Sequence, residues 1–154
     1  MLGDTIVIMQ TSYRHTQIGY PLLAILAAWI LAFLPLLQKF GLWHLVTHGP
    51  YGVVIVVLLF FVTLTVTIDD GWLVWSFGPG FIRKRVPLAD IESCEVVRNP
   101  WYYGVGIRRT PQGWLYNVSG TASVRIKLKN GKFFGIGSDR AEELCAAIQS
   151  SITK

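Results

Sequence analysis

Few side chains in this sequence could act as nucleophiles, proton carriers or metal ligands: His15, His44 and His48, the thiols Cys94 and Cys145, and nine carboxylates. His44 and His48 are four apart, a spacing that on a helix would share one face and could hold a metal or haem iron. No third ligand stands nearby, the Glu of an HExxH arrangement is missing, and Gly49-Pro50 would end any helix at His48. The pair therefore reads as polar tips. All three histidines precede Thr67, so the rest of the chain holds no Ser-His-Asp or Cys-His pair of its own. Two separated cysteines without histidine do not make a usual zinc site. Asp90, Glu92, Glu95, Glu142 and Glu143 fall in turn and helix contexts where solvation is the ordinary role, and Gly104-Val105-Gly106 lacks the third glycine and following helix of a phosphate loop. The expectation is a chain without catalytic activity, metal or cofactor.

Binding is the chemistry the charges suggest. The formal charge is +5, and of 14 Lys and Arg only Arg14 and Lys39 precede Asp69. Two basic clusters stand out: Arg83, Lys84 and Arg85 in sequence, and Arg125, Lys127 and Lys129 alternating with Val124, Ile126 and Leu128. Basic residues near an anionic lipid surface attract it by about 1 kcal/mol each. The alternative is a solvated strand face. With Phe133, an aromatic set beside Lys127, these six are the candidate contacts to lipid or to a protein partner. Nucleic acid is not expected, because the topology described next already accounts for the charge.

The elements that must carry these residues begin with two uncharged apolar runs, 18–37 and 51–66. The first has roughly the 20 residues that a helix needs to cross a bilayer core, and the second is slightly short. Together they predict a transmembrane helical hairpin over 18–66, with residues 38–50 as an interfacial connection and 1–17 as a short N-terminal segment that is not a signal peptide. Ala24, Ala27, Ala28 and Ala32 give the first run a small-residue face suited to helix packing. The excess of Lys and Arg after the hairpin places both termini in the cytoplasm of a bacterial inner membrane protein. Cys94 and Cys145 then meet reducing conditions and are expected as buried free thiols.

From Thr65 the apolar period becomes two. Asp70-Gly71 offers a two-residue type I′ turn, which would set Ile68 against Leu73, Val66 against Trp75 and Leu64 against Phe77. Further strands are expected over 81–88, 91–97, 104–108, 114–118 and 124–129. A three-residue loop ending at Gly131 would place Phe134 opposite Ile126 and leave Phe133 outside beside Lys127. Asp139 is the expected N-cap of a last helix, with Glu142 in the capping-box position and Ala141, Leu144, Cys145, Ile148 and Ile152 as its buried stripe.

The runs WSFGPGFIRKRVPLADIESCEVV, NPWYYGVGIRRTPQGWLYNVSG and VRIKLKNGKFFGIGSDRAEEL resemble the bacterial pleckstrin-homology-like (PH-like) domains found beside transmembrane helices. The resemblance covers just over half the chain. It implies that residues 67–154 form a seven-stranded antiparallel β-barrel capped by the C-terminal helix, with no assigned enzymatic activity. Eukaryotic relatives bind phosphoinositides through a basic loop between strands one and two. Here that loop is the acidic Asp69-Asp70-Gly71, and only Arg83-Lys84-Arg85 supplies a basic half. The expected function is a membrane-tethered interaction module for protein partners or anionic lipid. The alternative is an accessory subunit of a larger integral membrane complex.

Overall fold

A computed structural model describes residues 13–41, 52–53 and 59–153. Chain order gives β1 (Tyr13–Ile18), α1 (Tyr20–Phe40), β2 (Thr63–Asp69), β3 (Trp72–Phe77), β4 (Ile82–Pro87), β5 (Ile91–Arg98), β6 (Gly106–Thr110), β7 (Gly113–Asn117), β8 (Ala122–Leu128), β9 (Phe133–Gly137) and α2 (Ala141–Ile152). One sheet has the order β1-β2-β3-β4 and the other β5-β8-β9-β7-β6.

Turn chemistry fixes both central hairpins. Asp70 and Gly71 have φ of 48° and 77°, both positive as a type I′ turn requires, and Leu64, Val66 and Ile68 pair with Phe77, Trp75 and Leu73 as the alternation predicts. In the β8–β9 hairpin Gly131 has φ of 79°, its N–H donates to the Leu128 carbonyl, and Phe134 pairs with Ile126 while Phe133 pairs with Lys127. Phe134 is accordingly buried and Phe133 exposed.

The two sheets meet over their apolar faces. Trp75 stacks on Phe134 with centroids 4.9 Å apart and an interplanar angle of 18°, and lies 5.2 Å from Tyr116. Leu144, Cys145 and Ile148 of α2 join the same core. The helix starts later than expected. Asp139 does not cap it, because its carboxylate meets His15 Nε2 at 2.6 Å, and Ser138 Oγ instead accepts the Arg140 N–H at 3.1 Å. That contact ties β1 to the far sheet, as do the bonds from Gln17 Nε2 to the Ser119 carbonyl and hydroxyl. Burial pushes the Tyr13 phenol pKa up, and nearby Glu143 adds to the rise.

Three expectations need correction. The closed seven-stranded antiparallel barrel is replaced by sheets of four and five strands, the second containing a parallel pair, β7 with β9. The two strands approach closely at glycines, since a Cβ on Gly113 would collide with the Phe133 carbonyl and one on Gly137 with Asn117. The two-helix transmembrane hairpin is also not found: among the described residues no helix is long and apolar enough to cross a membrane. Ile18 of the first run belongs to β1, and the uncharged part of α1 before Gln38, from Tyr20 to Leu37, measures about 27 Å against roughly 30 Å of hydrocarbon. Thr63 to Val66 of the second run belong to β2, and the remaining positions, 51–62, would reach only about 18 Å even if wholly helical. The membrane and transmembrane assignments lose their basis, and so does an integral inner-membrane location with both termini cytoplasmic. His44, His48 and most of the interfacial connection 38–50 lie outside the described residues.

Helix α1 buries Leu22 and exposes Tyr20, Ile25, Leu31 and Leu34, and its Trp29 stacks on Phe33 at 4.6 Å. Just before the helix, the Gly19 N–H donates to the carbonyl of Val62, the residue before β2.

The hairpin register predicts unequal losses at adjacent phenylalanines. Phe134→Ala should cost about 3 to 5 kcal/mol, since it opens a cavity beside Trp75, and Phe133→Ala less than about 1 kcal/mol. Urea unfolding of the two full-length variants checks this, and a larger loss at Phe133 would contradict the register.

Candidate functional site

The two basic clusters occupy different environments. Arg125 and Lys127 lie on β8, second in its sheet beside β5, and β5 supplies an acid for each. Arg125 Nη1 meets Glu95 Oε1 at 3.0 Å and Lys127 Nζ meets Glu92 Oε1 at 2.6 Å. Lys129, just beyond the strand, donates its backbone N–H to the Asp90 carbonyl. The charges on this face are thus partly met from within the fold.

Arg83, Lys84 and Arg85 lie on β4, an edge strand of the first sheet. Among the described residues none of the three forms an ion pair. Strand alternation splits them. Lys84 is registered opposite Trp75 on the side facing the core, and its Nζ sits 5.9 Å from the Tyr116 ring centroid. Arg85 is registered opposite Val74 on the other side, and its guanidinium lies 4.7 Å from the Trp72 ring centroid, a cation–π contact. That contact sets the Arg85 guanidinium beside the Trp72 indole on the outer side of the sheet.

The outer side of the first sheet forms two rows read across the strands: Arg14, Thr67, Val74 and Arg85, then Thr16, Thr65, Ser76 and Arg83. Arginines stand at its margins and hydroxyls floor it, with Thr16 Oγ1 and Thr65 Oγ1 2.9 Å apart. At strand spacing of about 4.8 Å the surface spans roughly 14 Å from β1 to β4. Guanidinium and hydroxyl groups at its margins and floor suit carboxylate or phosphate oxygens.

The structure therefore does not unite the sequence candidates into one patch. Arg83, Lys84 and Arg85 belong to the first sheet, whereas Arg125, Lys127 and Phe133 belong to the second. Two contributors were missed. Trp72 could have been found from the β2–β3 register, which puts it out of phase with Leu73. Arg14 carried no sequence signal, because nothing local shows that residues 13–18 pair with β2. A small polar recess on the second sheet, lined by Asn99, Thr110, Ser123 and Arg125 among others, has a volume of about 10 Å³, room for about one water molecule. Among the described residues no group of three or more His, Cys, Asp or Glu could hold a metal.

No family model, no curated protein and no solved structure matches the chain.

The ion pairs on β8 are solvent-exposed, so they contribute little to stability. Changing Arg125 and Lys127 together to Gln should lower unfolding free energy by less than about 1 kcal/mol. Denaturant titration at low salt measures this, and a loss above about 3 kcal/mol would show that the β5–β8 pairs are structural.

Proposed function

We propose that this chain is a non-catalytic binding module, of the kind its PH-like resemblance implies, and that it takes an acidic protein segment along the β4 edge of the first sheet. One observation supports this reading above the others: Arg83, Lys84 and Arg85 occupy an edge strand and, among the described residues, meet no carboxylate, while Arg125 and Lys127 on β8 do.

An edge strand presents backbone donors and acceptors at strand spacing, so an extended segment can add to it by main-chain hydrogen bonds. The side chains then select the partner. Carboxylates on one side of the added strand meet Arg83 and Arg85, and those on the other approach Lys84. The same charges repel a basic strand, and so discourage a second copy of β4 from pairing there. Trp72 adds selectivity by holding Arg85 in place, which reduces the ordering cost of binding. A protein segment is favoured over a lipid surface because it uses the strand edge as well as the charge.

The test is fluorescence anisotropy with an extended peptide carrying alternating Glu. Changing Arg83, Lys84 and Arg85 to Gln should weaken binding by about tenfold or more, with binding in the parent falling as salt rises. Changing Arg125 and Lys127 to Gln should alter it by less than about threefold. Equal effects from both variants would contradict the assignment to β4. Tight binding to phosphatidylserine vesicles without binding to the peptide would give the face to lipid instead.

A further inference from the structure

The chain has two cysteines, and folding brings them together. Cys94 lies on β5 and Cys145 on α2, 51 positions apart, with their Sγ atoms separated by 2.9 Å. Both are buried thiols. Cys94 Sγ also lies 3.3 Å from the Cys145 carbonyl, to which it can donate, and the Gln149 side chain approaches the Cys94 carbonyl at 3.5 Å. These contacts hold one turn of the helix against the strand with the sulfurs facing each other.

We propose that Cys94 and Cys145 are a modification site, an intramolecular disulfide that locks α2 onto β5 when a hydroperoxide is the oxidant. A disulfide has sulfurs about 2.05 Å apart, so closure requires an approach of less than about 1 Å. The reaction balances with one peroxide. The Sγ–Sγ bond forms and the O–O bond breaks, two electrons pass from sulfur to oxygen, and the two thiol protons leave in one alcohol, or water, and one further water. A dithiol reductant reverses it by exchange.

The packing also sets the rate. Burial, and then the hydrogen bond to Cys145, push the Cys94 thiol up to about 12, so at neutral pH its thiolate is scarce. Closure started from Cys94 is therefore slow and quickens as pH rises. Once formed, the bond closes a long loop that constrains the unfolded chain.

The experiment treats the full chain with excess hydrogen peroxide, then measures intact mass, thiols in denaturant and thermal melting. The expected result is joint loss of both thiols, a mass lower by two hydrogens, a melting temperature raised by about 10 °C or more, and reversal of all three by dithiothreitol. Cys145→Ser should remove the two-hydrogen loss. The wild-type result stands alone if that variant does not fold. A mass that rises by whole oxygen atoms while no intramolecular bond forms, or a disulfide that joins two chains, would overturn the proposal.

Discussion

Trp75, pressed between Phe134 and Tyr116, is the contact on which the arrangement of the two sheets depends. Among the described residues neither sheet closes on itself, so each must bury one face against the other, and this aromatic group supplies large side chains at the junction. Aromatic pairs contribute about 0.5 to 1.5 kcal/mol each beyond their burial. The contact also determines which surfaces remain. With the inner face of the first sheet committed to the core, its outer face and the β4 edge are left to carry Arg83 and Arg85, while Lys84 reaches the Tyr116 ring at the margin of the core.

Local chemistry made much of the fold legible. Asp70-Gly71 and Gly131 adopt the positive φ that their turns require; at Asn130-Gly131 a two-residue turn was also open, and only the three-residue loop keeps Phe134 in phase with Ile126 and the core. The α2 stripe of Leu144, Cys145 and Ile148 followed from helical spacing. Non-local pairing was not legible. The parallel contact of β7 with β9 and the addition of β1 to β2 depend on chain crossings that leave no periodic trace in either strand. Asp139 illustrates the same limit, since a good capping residue was taken by His15, 124 positions away. The apolar runs misled for a different reason: hydropathy does not reveal that Ile18 and Thr63 to Val66 extend into sheet strands.

The site was legible only in part. Both basic clusters were visible as sequence, but their difference arises from neighbours: β5 brings Glu92 and Glu95 to β8, and among the described residues no strand brings an acid to β4. Charge counted along a chain is thus a poor guide to charge available for binding. The cysteine pair follows the same rule. Each thiol was placed correctly in the core, but their meeting required α2 to lie across β5.

If β4 is the strand that receives a partner, its backbone amides are the ones an added strand covers. Amide hydrogen exchange of the full chain, with and without an acidic extended peptide, reports it at the level of the backbone. Exchange should slow in residues 82–87 when the peptide is present and stay unchanged in residues 122–128. Protection confined to 122–137, or none in 82–87 under conditions where the peptide is bound, would contradict it.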